Sequence, residues 1–409
     1  MQVRTTIEQE KGYYFMSKRH GYLSVDFGNS QTRIKVTVVS DNGELHTRQK
    51  SLPNRYGYLD ERKLYLLEGT EYTENNTKCF TYNGETICVG KMCDTECGNS
   101  SVKPTSTDKK FESKYTQYAI RLALMEGYIE IAKMLNEDIE ALDIIWHIAV
   151  CLPAYDMRNG AKKMQKLISE VDSINFLIPE VKKTITIDPK IAVRPEGYLA
   201  YVGVVFENRS LYRYKMSEVA KKKVLVVDMG DGTTDLCLLD GTNLSQQSLH
   251  SVPVGGNQVV QTFKREMEQR YGHSFSNDAM QEACVTGILK LGNKLIDVAK
   301  DVDEIRKSVA VSVANSIKGY FETLPTSIDE INYILLCGGG ALPSENAEKM
   351  KSYEYYMRHE LSNMMKYADF LDMPKSKEIQ NGEERIVQLN PRFLNVIGAS
   401  ILNDPVVNK

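Results

Sequence analysis

The chain has 409 residues and a formal net charge of −3, with 42% hydrophobic and 26% charged residues. This composition is typical of a folded protein with about two to four domain-sized units. It excludes a broad basic surface for direct binding of nucleic acid. No apolar run reaches the roughly 18 residues that a membrane-spanning helix needs. The polar N-terminus does not resemble a secretion signal, so we expect a cytoplasmic protein with no membrane attachment.

The eight cysteines fall into two groups. Three of them, Cys151, Cys237 and Cys337, lie in or at the end of apolar runs and are expected to be buried thiols. The others include a looser group formed by Cys79, Cys88, Cys93 and Cys97. The C-D-T-E-C segment lacks the C-x-x-C spacing and has no histidine nearby, which disfavours a zinc site there. We therefore interpret the cysteines as reduced thiols in a reducing compartment.

The first half of the chain predicts a polar extension followed by a β-hairpin. The extension covers residues 1–20, and the hairpin strands cover residues 21–28 and 33–40. Residues 41–112 are polar and loop-rich, so we expect an insertion there. Apolar residues recur at spacings of three and four over residues 114–135, which predicts a helix. The remaining predictions are a strand at 144–154, a helix to about residue 171, a short strand at 185–189 and a helix starting at Pro195.

The second half begins near residue 223 and repeats this plan. The predicted strands cover residues 224–228, 232–239 and 244–254. A long helical region is expected over residues 257–321, with a small satellite at about 276–303. Residues 332–343 predict a strand, a glycine turn and the start of a helix, and residues 390–402 predict a closing helix.

Two matching segments stand at the tips of the predicted hairpins. The first reads V-D-F-G-N-S-Q-T from residue 25, and the second reads V-D-M-G-D-G-T-T from residue 227. Both contain D-x-G-x-x-x-T at the end of an apolar strand. Taken singly, each is compatible with an ordinary Asp-Gly hairpin turn. The repeat across two halves of the chain instead indicates duplicated domains that face each other.

The residue types in these tips suit a metal-bound polyphosphate. Glycines permit tight turns and a close approach of the backbone, and the turn N–H groups form an anion-binding concavity. Asp26 and Asp228 would repel a bare phosphate, so they make sense when a hydrated Mg²⁺ lies between acids and phosphates. The glycine and hydroxyl residues of the tips are Gly28, Ser30, Gly230, Gly232, Thr233 and Thr234.

Two further segments complete the candidate site. A strand ending in Gly338, Gly339 and Gly340 would let a nucleoside or phosphate approach the backbone. Glu196 follows Pro195 at a predicted helix start. A carboxylate there is either favourable placement on the helix dipole or a group that orients a water molecule for attack on a terminal phosphate.

The ordered set of these motifs resembles the actin and heat-shock-chaperone ATPase superfamily, over residues 22–402. Within it the chain looks most like the bacterial plasmid-segregation actins of the ParM family, because P-R-F-L-N-V-I-G at residues 391–398 resembles their closing helix. The resemblance implies an α/β fold of two duplicated ribonuclease H-like domains with a nucleotide cleft between them. Domain I would cover residues 21–206, domain II residues 207–389, and a closing helix at 390–409 would pack back on domain I.

The resemblance also implies roles for individual residues. Asp26 and Asp228 would hold Mg²⁺ through water, and Glu196 would align the attacking water. Arg33 falls where these proteins usually have a phosphate-contacting lysine, and Asp235 falls where actin has histidine. ATP is expected, with GTP left open. The nucleotide would contact Gly28, Asn29, Ser30, Arg33, Gly230, Asp231, Gly232, Thr233, Thr234 and Gly338–Gly340.

The expected function is that of an ATPase that forms dynamic head-to-tail filaments and segregates plasmid DNA through a DNA-binding adaptor protein. Two alternatives within the superfamily stay open. One is a small-molecule kinase, which would share both phosphate hairpins but need an acceptor pocket. The other is a chaperone-type ATPase that does not polymerise, for which the sequence leaves no room for a peptide-binding domain.

Overall fold

A computed structural model describes most of the chain. The described residues are 18–60, 62–63, 77–90, 92–93, 97, 102, 104, 109–178, 180–206, 210–211, 216–219, 221–341, 348–373, 375–380 and 383–403. Residues 1–17 of the predicted N-terminal extension lie outside them, as do parts of the predicted insertion. None of the described helices is long and apolar enough to cross a lipid bilayer.

The strands and helices alternate along the chain. The strands are β1 (Arg19–Phe27), β2 (Gln31–Val39), β3 (Leu45–Pro53), β4 (Tyr56–Leu59), β5 (Thr77–Tyr82), β6 (Glu85–Gly90), β7 (Ile144–Leu152), β8 (Ser173–Ile178), β9 (Glu180–Thr184), β10 (Thr186–Ile187), β11 (Ala192–Pro195), β12 (Ser210–Leu211), β13 (Lys223–Met229), β14 (Thr234–Asp240), β15 (Asn243–Leu244), β16 (His250–Val252), β17 (Ile288–Leu291), β18 (Lys294–Asp297), β19 (Tyr333–Cys337), β20 (Asp369–Phe370), β21 (Lys375–Gln380) and β22 (Glu383–Gln388). The helices are α1 (Lys114–Leu135), α2 (Met157–Ser169), α3 (Tyr198–Val205), α4 (Met216–Val219), α5 (Gly256–Tyr271), α6 (Asn277–Thr286), α7 (Ala299–Phe321), α8 (Tyr353–Met364) and α9 (Leu394–Leu402).

The first main sheet is built around the predicted N-terminal hairpin. Its strand order is β10-β7-β1-β2-β3, with β11 also paired to β7. β1 and β2 are antiparallel, whereas β7 runs parallel to β1 on the other side. Strand β1 begins at Arg19, so residues 19 and 20 belong to the sheet rather than to the predicted polar extension. Strand β3 also differs from prediction, because it lies inside the expected insertion yet pairs with β2 along its whole length.

The second main sheet repeats the same arrangement. Its order is β15-β14-β13-β19-β20, with β16 also paired to β14. The hairpin β13–β14 is antiparallel and β19 runs parallel to β13, as β7 does to β1. The sequence therefore predicted both hairpins, and the parallel third strand gives each half the same three-stranded centre.

A separate sheet fills the region of the predicted insertion. Its order is β4-β6-β5-β8-β9, so strands β8 and β9, which follow α2 in the chain, join strands that precede α1. Sequence patterns did not indicate this, because the pairing of β5 with β8 joins segments far apart in the chain. A small sheet of β12, β21 and β22 lies in the second half.

Most helices lie where the sequence predicts them, and both ends of one strongly periodic helix match the prediction. Helix α1 spans Lys114–Leu135; the Ser113 side chain accepts a hydrogen bond from the Tyr115 N–H at its start, and Asn136 ends it in the left-handed conformation. The predicted helical region at 257–321 is interrupted by the antiparallel hairpin β17–β18. The predicted helix at Pro195 begins later, since Pro195 ends β11 and α3 starts at Tyr198.

Helices α3 and α9 cross at two glycines and connect the halves. A Cβ on Gly203 would lie 2.7 Å from the Leu394 carbonyl oxygen, and a Cβ on Gly398 would overlap the Leu199 carbonyl. Helix α3 packs against the second main sheet, whereas Ala399 of α9 packs against Cys151 of the first. Helices α3 and α9 therefore each contact the sheet of the other half. This arrangement brings the two hairpin tips to one shared cleft.

Candidate nucleotide-binding site

A cavity of about 290 Å³ lies between the tips of the two hairpins. The predicted site residues that line it are Asp26, Gly28, Asn29, Ser30, Arg33, Glu196, Asp228, Gly230, Asp231, Gly232, Thr233, Gly338, Gly339 and Gly340. Thr234 is the exception: its fully buried hydroxyl donates to the Val254 carbonyl at 2.8 Å, which makes it part of the core. Segments separated by more than 300 residues thus meet at one site.

The two halves place equivalent residues at the same positions in their sheets. Asp26 of β1 lies opposite Arg33 on β2 and Cys151 on β7. Asp228 of β13 lies opposite Asp235 on β14 and Cys337 on β19. Both aspartates are buried. The duplicated register brings two carboxylates to the cleft and surrounds them with different neighbours.

In the first hairpin, the Asp26 carboxylate is paired with a cationic side chain. Arg33 Nη1 lies 3.2 Å from Asp26 Oδ2, and the pair is largely buried. The amide of Asn54, which precedes β4, donates to the Gly28 carbonyl, and the Tyr56 hydroxyl donates to Asn54 Oδ1. These bonds attach the sheet of the insertion directly to the hairpin tip.

The second hairpin holds its carboxylate with an amide. Asn395 Nδ2 of α9 donates to Asp228 Oδ2 at 2.7 Å. Gly338 has φ +81°, and a Cβ there would overlap Asp228 Oδ1, so only glycine suits this position. The start of α5 supports the turn, because the Gly256 N–H donates to the Gly230 carbonyl at 3.0 Å.

Glu196 lies in the turn between β11 and α3, with its side chain buried beside the carboxylates. Lys110 Nζ lies 2.8 Å from Glu196 Oε1. Gly197, at φ +74°, donates its N–H to Asn395 Oδ1 at 3.1 Å, so one asparagine links the Glu196 turn to Asp228. Sequence reasoning missed Lys110 and Asn395. The closing-helix motif contained Asn395, but nothing in the pattern indicated its partner.

Burial of several acids in one place changes their protonation. Burial raises the pKa of Glu196 to about 8; Asp26, Asp235 and Asp228 act in the same direction, and Lys110 opposes them. Burial also raises the pKa of Asp228 to about 7, against the hydrogen bond from Asn395. The site therefore favours a bound cation, which would offset the mutual repulsion of these carboxylates.

The donor set fits Mg²⁺. Asp26, Cys151 and Glu196 each offer an atom within 4.8 Å of the other two. Burial and the neighbouring Asp26 raise the pKa of the Cys151 thiol well above its usual value, so the sulfur stays protonated. The thiol lies 3.4 Å from Asp26 Oδ1 and donates to it. The oxygens of the carboxylates are then the available ligands, and these are the donors that Mg²⁺ prefers.

The far wall of the cavity comes from the second half. It includes the glycine turn after β19, Tyr353 of α8 and Arg392, together with Val259, Gln281, Cys284 and Arg306 from α5, α6 and α7. Arg306 is held by the carbonyls of Cys284 and Lys351, each at 2.8 Å. The sequence assigned the glycine turn and predicted a satellite near this wall, but it assigned none of the other wall residues.

Comparisons with known proteins agree on the fold. Residues 226–348 match the family described as "Archaeal actin homologue MreB-like, C-terminal". No curated protein matches the chain in sequence. Among solved structures, the 15-stranded ParM filament from Clostridium botulinum has 16% identity and a TM-score of 0.63, covering 95% of this chain and 99% of that one.

Two further structures show the same likeness. The archaeal actin homologue Ta0583, in complex with ADP, has 14% identity and a TM-score of 0.62, covering 95% of this chain and 99% of that one. The MamK double helical filament has 16% identity and a TM-score of 0.57, covering 94% and 98%. The chain therefore has the actin-like fold over nearly its whole length, as the sequence motifs predicted.

Proposed function

We propose that this chain is an actin-like, Mg²⁺-dependent nucleoside triphosphatase that assembles into filaments in a nucleotide-dependent way. The observation that carries the proposal is the placement of the two D-x-G turns on opposite sides of one cavity, each with a buried aspartate behind it. The likeness to Ta0583 in complex with ADP supports nucleotide binding at this place. ATP is the expected nucleotide, with GTP as the alternative.

The backbone of the two tips would hold the phosphates. Gly28, Gly230 and Gly232 let the turn amides approach the phosphate oxygens, and Ser30 adds a hydroxyl donor at the cavity surface. The Thr233 hydroxyl donates to Asp235, so Thr233 would contact the phosphates through its backbone N–H. Arg33 supplies a fixed positive charge close by, although one nitrogen of its guanidinium is paired with Asp26. The nucleoside would lie against Gly338–Gly340 and the satellite wall.

Asp26 and Asp228 would hold Mg²⁺ through its water molecules. The ion would neutralise charge on the transferring phosphoryl group, which is its usual contribution to phosphoryl transfer. Burial raises the pKa of Asp228, and the nearby Asp235 and Asp26 act in the same direction, so a cation beside it would favour the charged carboxylate. A cation would therefore have two effects at this site. It would help to bind the nucleotide, and it would relieve repulsion between the buried acids.

Glu196 would accept a hydrogen bond from the attacking water. Its position in a fixed turn, hydrogen-bonded through Gly197 to Asn395, holds the carboxylate relative to Asp228. Lys110 favours the charged form of the carboxylate, against burial and the neighbouring acids that raise its pKa to about 8. We assign Lys110 as a positioning residue that sets both the orientation and the protonation of Glu196.

Filament formation is proposed from structural likeness to proteins described as filaments, the ParM filament and the MamK double helical filament. Head-to-tail contacts between identical subunits form open helices when the rotation does not close. We propose that hydrolysis controls filament lifetime and that the filaments move plasmid DNA through an adaptor protein. The chain's net charge of −3 is compatible with indirect contact to DNA.

The test combines right-angle light scattering with phosphate release after Mg-ATP is added to purified protein. Scattering should rise and then decay as phosphate appears. The same run with Mg-GTP shows which nucleotide supports assembly, and EDTA tests the need for the metal. Phosphate release with flat scattering over a range of protein concentrations would contradict filament formation and favour a small-molecule kinase or chaperone-type ATPase.

A further inference from the structure

Four thiols meet at the sheet of the insertion, away from the nucleotide cleft. Cys79 of β5 and Cys88 of β6 lie directly opposite each other in the antiparallel ladder. Cys93 and Cys97 follow β6 in the chain. All four belong to one small cluster with Leu59 and Met92, in which only Cys97 is partly exposed.

The sulfurs of this cysteine cluster are connected in pairs. The Cys88 thiol lies within hydrogen-bonding distance of the thiols of Cys79 and Cys97. The Cys97 thiol also lies within hydrogen-bonding distance of Cys93. The four sulfurs therefore form a connected group that two segments supply, one pair from the β5–β6 hairpin and one from the segment after it.

The surrounding backbone makes room for this group and orients it. A Cβ on Gly57 of β4 would lie 2.6 Å from Cys97 Cβ and 2.8 Å from its sulfur, so a side chain there would displace Cys97. The Cys93 thiol donates to the carbonyl of Cys88 at 3.0 Å and lies 3.4 Å from that of Arg55.

We propose that Cys79, Cys88, Cys93 and Cys97 bind a soft divalent cation, Zn²⁺, as a structural four-thiolate site. Zinc takes four cysteine ligands in a tetrahedron, with Zn–S distances of about 2.3 Å and neighbouring sulfurs therefore about 3.8 Å apart. The β5–β6 hairpin supplies Cys79 and Cys88, and the segment after it supplies Cys93 and Cys97, which together give the four ligands of such a site. The sequence disfavoured zinc because it was judged on C-D-T-E-C alone, and the hairpin pair supplies the other two ligands.

The cluster lies beside a contact between the two halves. The Arg55 carbonyl faces Cys93, and the Arg55 guanidinium forms an ion pair with Asp278 of α6 at 3.2 Å. A metal bound to Cys93 would fix the contact of Cys93 with Arg55. It would thereby stabilise the insertion against the second half. This role is structural and does not depend on the proposed nucleotide chemistry.

The first test measures the metal content of the full-length protein, purified without chelator under reducing conditions, by mass spectrometry. About one zinc per chain is expected. Replacement of the ion by Co²⁺ should give the visible absorption of a tetrahedral site with strong thiolate-to-cobalt charge transfer. Cys88→Ser should abolish these bands and lower the zinc content at least tenfold, because Cys88 contacts two of the other ligands.

Cys237→Ala is the matched control, since it removes one buried thiol from β14 and should leave the cobalt spectrum unchanged. Cys97→Ser, at the partly exposed ligand, provides a variant that tolerates a hydroxyl if Cys88→Ser does not fold. A protein that contains no zinc and shows no thiolate-to-cobalt bands would overturn the proposal. Bands that survive in both serine variants, or a disulfide between Cys79 and Cys88 in freshly isolated protein, would overturn it equally.

Discussion

The two halves of this molecule share one backbone plan and differ in the side chain that faces each central aspartate. In both, an antiparallel hairpin carries the aspartate, and a parallel strand places a cysteine beside it. In the first half Arg33 faces Asp26 and pairs with it. In the second half Asp235 faces Asp228, so a like charge stands where the first half has a cation.

This difference gives the two carboxylates different properties. Asp26 has its countercharge within its own hairpin. Asp228 depends on the neutral amide of Asn395, and burial raises its pKa to about 7. Asp235 is itself buried, with its pKa raised by burial, and accepts hydrogen bonds from Ser251 and Thr233. The duplicated fold thus supplies two equivalent positions, and the asymmetry between them leaves two acids facing each other on one side of the cleft.

The largest expected effect comes from removing the carboxylate that lacks a countercharge. Asp228→Ala should reduce phosphate release by at least about 1,000-fold, or ~4 kcal/mol in the activation free energy. The reason is that the variant removes the metal-holding carboxylate whose own hairpin provides no cationic partner. Asp26→Ala should reduce release less, since Arg33 remains to hold the phosphates. Phosphate release at saturating Mg-ATP measures both variants, with circular dichroism as the check on folding. Wild-type turnover in Asp228→Ala would disprove the proposed metal site.

Glu196→Gln should slow hydrolysis by about 100-fold while leaving nucleotide binding and assembly intact, since water orientation and proton acceptance contribute about that much or more. Single-turnover phosphate release measures the chemical step, and a fluorescent nucleotide analogue measures affinity. Lys110→Met is the companion variant: it keeps the Glu196 carboxylate but removes its countercharge, so the pH at which activity rises should move upward. If Glu196→Gln loses nucleotide affinity in proportion to its activity, the carboxylate binds substrate rather than positioning water.

The sequence predicted those parts of this site that are local in the chain. The D-x-G turns, Glu196 and the glycine turn all lie at the cavity, because short patterns encode turns and strand ends. Lys110 and Asn395 were missed, since their roles depend on contacts with residues 86 and 167 positions away. The sequence did not indicate the pairing of β5 with β8 for the same reason, because these strands are far apart in the chain. Thr234 does not line the cavity, because side chains alternate along a strand, which directs its hydroxyl into the core.

The crossing of α3 and α9 tests how firmly the two halves are joined. Gly398→Ala should destabilise the protein by about 3 kcal/mol, because the added methyl group overlaps the Leu199 carbonyl and the helices must separate. Gly319→Ala in α7 is the control: a Cβ there meets nothing within 4 Å, so it should stabilise by about 0.5–1 kcal/mol. Denaturant unfolding followed by circular dichroism compares the two. Equal stability of both variants would show that the close crossing does not join the halves.

The smallest expected effect is a change in the pH dependence of stability, to which Asp228 of the second hairpin contributes together with Glu196. The pKa of Asp228 is raised in the folded state from 3.8 to about 7, so the folded protein binds this proton more tightly than the unfolded chain does. The resulting stability is complete at a pH below about 4 and is lost as the pH rises through about 7. Without nucleotide or Mg²⁺, the melting temperature should therefore fall between about pH 5.5 and pH 8.

Asp235→Asn should flatten this dependence by on the order of 1 kcal/mol, because it removes the like charge facing Asp228 and a second buried acid. Asp240→Asn, at the exposed end of the same strand, changes the same charge without affecting the cleft and should keep the wild-type slope. Thermal melts at matched ionic strength measure both variants. A slope that Asp235→Asn leaves unchanged would mean that the facing acid does not distinguish the second hairpin from the first. The asymmetry would then rest on burial and Asn395 alone.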